Sequence, residues 1–241
     1  IAVIAAVTDR SIDADAVVWA GLVVGGAAAV WLGRWVSDAR LPQFMILVNG
    51  LGGGGALLVA SLEYAQVVHT GAPNPLILML PIQLILAVGG ITLGAAAMVW
   101  ARMERRLPKA PLTYRYQRSG NAAAGVLLVV LMLFLTKSPD HPWWCAFAAV
   151  LAVGVGALGG LRAPDADLPL VVASLNAATG LAAAAAGLVL GNDGLVAVGG
   201  FIGTAAATMA LNTSREMGRP LFRVLERALW GAERREMIPP A

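Results

Sequence analysis

Apolar residues fill this chain in blocks too long and too uniform for helices that show one face to water. Such blocks cover 16–36, 43–63, 76–101, 121–137, 143–161, 167–190 and 194–212, and residues 1–7 read as the tail of one more. Roughly 17–25 apolar residues cross a hydrocarbon core as a helix. Inside lipid every backbone N–H and C=O must be satisfied within the chain, and unbroken runs do that as helices, not as barrel strands. The pattern predicts an all-α, polytopic transmembrane bundle of about eight spans. The first span is truncated at Ile1, so more chain is expected upstream. Short connections make neighbouring spans antiparallel.

The last segment has a different pattern. Leu221, Phe222, Val224, Leu225, Leu229 and Trp230 alternate with Arg219, Arg223, Arg227, Arg234 and Arg235. This predicts an amphipathic helix over 217–236, lying on an anionic membrane surface. Docking on a partner subunit is the alternative. The chain thus divides into a membrane domain, 1–212, and a basic cytoplasmic helix and tail, 213–241.

Composition supports a membrane solvent. Hydrophobic residues make up 59% of the chain and charged ones 13%, about half the charged share of soluble domains. The net charge of +3 does not point to nucleic acid, because the cations sit between the apolar runs. Arg34 and Arg40, the stretch Arg102–Arg118 and the Arg-rich tail alternate with weakly charged or acidic connections at Thr8–Asp15, Glu63–Pro75, Lys137–Pro142 and Gly191–Asp193. The Arg162–Asp167 connection is a mild exception. The positive-inside bias places the C-terminus of this integral membrane protein in the cytoplasm. One cysteine, Cys145, excludes an internal disulfide and a Cys-built metal site.

Small residues recur at four-residue spacing in Gly50/Gly54, Gly156/Gly160 and Gly199/Gly203. That spacing lets helix backbones approach closely in lipid. The most informative pattern is a duplication. Leu41-Pro42 leads to Asn49 and Gly53; Leu168-Pro169 leads to Asn176 and Gly180 at the same spacing. Proline opens each helix, where its missing N–H costs nothing. The segments 41–63 and 168–190 therefore read as a parallel repeat, with each asparagine roughly 10 Å inside its helix start. An unpaired amide at that depth costs several kcal/mol. Each amide must meet another helix or water held in a polar path.

Ser174, Gln83, Thr92, Thr179, Thr204 and Thr208 are the other polar groups within spans. Hydroxyls can bond their own helix backbone, which predicts bland threonines. Gln83, expected one turn after the start of a helix that Pro81 opens, cannot do so as easily and joins Asn49, Asn176 and Ser174 as a candidate for the path. No Asp, Glu, Lys, Arg or His stands mid-span, which counts against an autonomous pump. Gly50-Leu51-Gly52-Gly53-Gly54-Gly55 fits the dinucleotide spacing, but that fingerprint needs a strand before it, and these glycines lie within a span. No catalytic or metal-site motif is present.

At these residues the sequence resembles the β subunit of proton-translocating NAD(P) transhydrogenase. The resemblance is carried by Leu41–Gly54, Leu168–Asn176, the small-residue run Gly180–Gly187, Gly191-Asn192-Asp193-Gly194-Leu195 and the helix through Gly199 and Gly203. It implies a membrane domain that conducts protons and couples them to hydride transfer between NADH and NADP⁺. Both nucleotides are expected on partner domains, with no cofactor bound by this chain. It also implies an α-type partner chain, a second copy of the assembly and a place in a bacterial inner membrane with the C-terminus cytoplasmic, and it matches Asn176 to an asparagine associated with the proton path.

Three departures accompany the resemblance. The NADP-binding domain expected after the last span is not within these residues. The family's Ala-Met-Asn-Arg-Ser reads Glu216-Met217-Gly218-Arg219-Pro220. The 76–101 helix offers only Gln83 and Thr92 where the family often has a histidine. The sequence therefore supports two readings: a transhydrogenase proton channel, or a catalytically inactive, transhydrogenase-like assembly subunit of a larger membrane complex.

Overall fold

The computed structural model describes residues 15–37, 40–70, 75–107, 117–137 and 141–230. Among them are eight α-helices and no strand: α1 (Asp15–Trp35), α2 (Leu41–Thr70), α3 (Pro75–Met103), α4 (Gln117–Lys137), α5 (Pro142–Arg162), α6 (Leu168–Val189), α7 (Asp193–Glu216) and α8 (Leu221–Trp230). Six of them, α2 to α7, are long and apolar enough to cross a membrane. The expected first, truncated span at residues 1–7 lies outside the described residues, and α1 matches the expected 16–36 segment. The chain is thus an integral membrane protein of helical type.

α3 is the hub. About two-thirds of its most apolar stretch is buried (67%), against 17–28% in the other five spans. It packs against α2, α5 and α6, and more lightly against α4. α2 runs antiparallel to it: a Cβ at Gly50 would lie 2.8 Å from Ala96 Cβ, and one at Gly53 would lie 2.8 Å from the Gly89 carbonyl. α5 runs parallel to it, with Gly90 against Ala152 and Gly160 against Ala95. α6 and α7 form a tight antiparallel hairpin in which Gly180 meets Gly203 and Gly187 meets Val196. Ile46, Val99, Met103, Leu168 and Val172 share one cluster. The starts of α2 and α6 therefore meet the end of α3, and α2 and α6 point the same way.

Two elements depart from the sequence expectation. Glu63–Thr70 continues α2 instead of forming a connection, giving a helix of 30 residues. Tyr64 and Val67 extend its buried face at a three-residue step, and the Thr70 hydroxyl donates to the Gln66 carbonyl (2.8 Å). Pro81 lies inside α3, not at its start, so Gln83 sits two turns into the helix.

The amphipathic helix begins at Leu221 instead of at 217 and folds back on the bundle, and its predicted stretch after Trp230 lies outside the described residues. Val224 and Ala228 of α8 are buried against Ala163, Leu170 and Val171. Part of the apolar face expected to meet lipid or a partner is therefore covered by the chain itself, while Phe222 remains exposed. The turn that sends α8 back is specific. Gly218 has φ +62°, with its N–H on the Arg215 carbonyl (3.1 Å) and the Arg219 N–H on the Ser214 carbonyl (3.0 Å). These two bonds cap α7 in the Schellman manner. Ser214 Oγ donates to the Arg219 carbonyl (2.6 Å) and accepts from the Leu221 N–H (3.0 Å), tying the start of α8 to α7.

Candidate functional site

The site begins at the α2/α3 contact. Asn49 is 7% exposed, and Gln83 and Thr92 are each 1% exposed. Asn49 Nδ2, Thr92 Oγ1, Gln43 Oε1 and both amide atoms of Gln83 are buried with no hydrogen-bond partner among the described residues. Helical hydroxyls elsewhere do what the sequence predicts. Ser61, Thr136, Thr179, Thr204 and Thr208 each donate to the carbonyl four residues back, at 2.8–2.9 Å. Thr92 departs from that expectation. Its side chain is pressed into the crossing, where a Cβ at Gly53 would lie 2.9 Å from Thr92 Cβ, and its hydroxyl is left without a protein acceptor.

Asn49 stands one turn before Gly53 on α2. It lies between Gly52, which faces Thr179 of α6 (3.5 Å from an added Cβ), and Gly53, which faces α3. Its amide therefore opens into the groove between α3 and α6. With about 1.5 Å of rise per residue, it sits roughly 6 Å along the axis from Thr92. Gln43 lies on the same α2/α3 interface, roughly 9 Å nearer the α8 end.

The other predicted residues lie elsewhere. Asn176 stands at the same depth as Asn49, since Gly52 and Thr179, three residues on from each, touch. It lies between Thr179, which faces α2, and Gly180, which faces α7. The two asparagine amides thus flank opposite sides of the α2/α6 contact and open into different grooves. Gln83 is roughly 14 Å beyond Thr92 along α3. Its phase matches Gly90, which faces α5, so the body of α3 separates it from Thr92. Ser174 commits its proton to the Leu170 carbonyl (2.7 Å).

Of the glycines singled out for packing, Gly50, Gly156, Gly160, Gly180, Gly199 and Gly203 leave no room for a Cβ without movement, whereas Gly54 has ordinary contact space at 3.6 Å. Of the cationic residues, Arg219 pairs with Asp167, Arg223 is exposed and Arg227 half-buried. Arg234 and Arg235 lie outside the described residues.

Two charged residues at the α8 end escaped the sequence reading. Arg102, expected in a connection, is buried. Its Nη1 donates to the carbonyls of Gly160 (3.4 Å), Leu161 (3.5 Å) and Ala163, satisfying groups that the end of α5 leaves open. Asp167 is fully buried under the Arg219 guanidinium. Among the described residues no group of His, Cys, Asp and Glu could hold a metal.

Residues 1–238 match the NAD(P) transhydrogenase beta subunit family. The chain belongs to that family. It is 28% identical over 235 residues to the NAD(P) transhydrogenase subunit beta of Rhodospirillum rubrum, covering 93% of this chain and 49% of that protein. A second subunit beta from a defined strain of the same organism gives the same figures. The chain thus spans about half the length of the curated relatives it matches. The transhydrogenase β-subunit match reaches across the whole membrane bundle and α8, so the Asn49–Thr92 seam lies in the family's membrane part.

Proposed function

We propose that this chain is the proton-conducting membrane domain of an NAD(P) transhydrogenase, coupling proton passage to hydride transfer in nucleotide-binding domains outside the bundle. One observation carries the reading. Asn49 Nδ2 and Thr92 Oγ1, on facing helices and about a turn apart, are both buried and lack a partner among the described residues. Buried polar groups of this kind are satisfied by water, which needs a polar site with several partners. Gln43, Asn49 and Thr92 order that water in from the α8 end, and Gln83 serves the far end across α3. Asn176 serves the neighbouring α6/α7 groove.

None of these side chains takes up a proton near neutral pH. They hold and orient water, and water carries the proton. The path is closed where α3 separates Thr92 from Gln83, and a turn of α3 about its axis is the gating motion. The α8 end is cytoplasmic: Arg102, Arg105, Arg106, Arg118, Arg215, Arg219, Arg223 and Arg227 cluster there, against Lys137 at the opposite end. Partner domains bring NAD and NADP, and a second copy of the assembly completes the complex.

The assembly-subunit reading keeps one supporting observation, the lack of a titratable side chain in mid-span. A test in proteoliposomes separates the two. The native assembly, purified with whatever chains accompany it, is assayed for hydride transfer and acidification together. The channel reading expects NAD-binding partners and a coupled rate at least tenfold lower in Asn49→Leu. An assembly without nucleotide-binding chains or hydride transfer supports the structural role instead.

A further inference from the structure

α3 and α5 are joined by two kinds of contact. Along their crossing there is no soft layer. A Cβ at Gly156 would run into the Ile91 carbonyl, one at Gly160 would lie 3.0 Å from Ala95 Cα, and one at Gly94 would lie 2.8 Å from the Ala157 nitrogen. Backbones this close cannot turn past each other without separating, because packed interiors hold no spare volume. At the α8 end the joint is polar. Arg102 stands in the last turn of α3 and is 6% exposed. One of its guanidinium nitrogens donates to the carbonyls of Gly160, Leu161 and Ala163, where α5 ends.

Ala163 is the next link. Its N–H closes the last turn of α5 on the Gly159 carbonyl (3.2 Å), and its own carbonyl accepts from Arg102. Its side chain is fully buried in the cluster that seats Val224 and Ala228 of α8. Among the described helices, α8 packs chiefly on α5. One residue therefore has the hub helix on one side and α8 on the other. The outer face of α8 presents Phe222 and Arg223 at the cytoplasmic end of the bundle.

We propose that Arg102 is the positioning residue that makes α8 follow α3. The inference rests on the channel reading above, in which α3 turns about its axis. α3 and α5 then turn as one body. Arg102 carries the Ala163 corner with it, and α8 shifts across the helix ends on the side where nucleotide-binding domains meet the bundle. Arginine suits this task. Its planar fork meets several acceptors in fixed directions, whereas a lysine ammonium holds them as a point charge on a flexible stem.

The test uses the native assembly and two readouts. Hydrogen exchange of the amides of α8, Leu221–Trp230, reports how firmly it is seated. Hydride transfer in proteoliposomes, with and without an imposed proton gradient, reports transmission. Arg102→Gln is expected to speed α8 exchange at least tenfold. It should keep the rate without a gradient within twofold of wild type and lose the acceleration that the gradient gives. Arg102→Lys should show a smaller loss of the same pattern, and it carries the test if Arg102→Gln does not assemble. Arg106→Gln, exposed at the same end, should match wild type in both readouts. Unchanged α8 exchange in both Arg102 variants overturns the proposal. A gradient response that survives the loosening of α8 overturns it too, as does a rate without a gradient that falls as far as the rate with one. A wild-type assembly whose hydride transfer ignores the gradient is a different failure: it removes the channel reading and takes this transmission with it.

Discussion

Asp167 and Arg219 are 52 residues apart in sequence and form an ion pair that joins the start of α6 to the exit of α7. The carboxylate side chain is 1% exposed and the guanidinium 42%, so the two partners are not equivalent. Removing Arg219 strands a charge with no water to solvate it. Removing Asp167 leaves an arginine that can turn to solvent.

Arg219→Ala is therefore expected to destabilise the bundle by about 1–3 kcal/mol, between the values for buried and surface pairs. Asp167→Asn should cost less. The double variant Asp167→Asn/Arg219→Ala should recover part of the loss. Thermal unfolding in detergent, scored as a double-mutant cycle, checks this. Strictly additive effects would mean the pair contributes nothing as a pair.

Glycines at crossings and glycines facing lipid should respond in opposite directions. A Cβ at Gly94 would run into the Val153 carbonyl and lie 2.8 Å from the Ala157 nitrogen, whereas one at Gly200 meets nothing within 4 Å. Gly94→Ala forces α3 and α5 apart and should cost more than 1 kcal/mol. Gly200→Ala loses no packing and gains up to about 1 kcal/mol of helix propensity. The melting temperatures of the two variants should fall on opposite sides of wild type.

The α7 exit gives a third prediction. Gly218 holds φ +62°, a conformation that costs other residues about 1–2 kcal/mol and that asparagine tolerates best. Gly218→Ala should loosen α8, and Gly218→Asn should restore most of its docking. Proteolytic cleavage rates within Arg219–Trp230 report the difference. The resembled family pattern has Asn where this chain has Gly218, and asparagine is the side chain that best tolerates this conformation.

Much of the fold was legible because lipid imposes long apolar helices, and because the Leu-Pro starts of α2 and α6 mark their ends. The site was less so. Asn49 stood out as an amide too deep to be left alone. Thr92 did not, since hydroxyls in helices ordinarily bond the preceding turn, and only its crossing with Gly53 shows that it does not. The orientations of Gln83 and Asn176 depend on which helix each face meets, and spacing along one chain does not contain that. Arg102 and Asp167 read as loop charges because their partners, the carbonyls at the end of α5 and the Arg219 side chain, are distant in sequence.

The central claim is that water reaches the seam between Asn49 and Thr92, and thiol accessibility measures it directly. In a Cys145→Ala background, Thr92→Cys is treated in intact membranes with a small, water-borne methanethiosulfonate reagent. Leu86→Cys, in the dry core around α3, serves as the reference. Thiols react through the thiolate, which forms only where water reaches. The account predicts that the cysteine at 92 is modified at least tenfold faster than the one at 86. Equal inertness at both positions would contradict it.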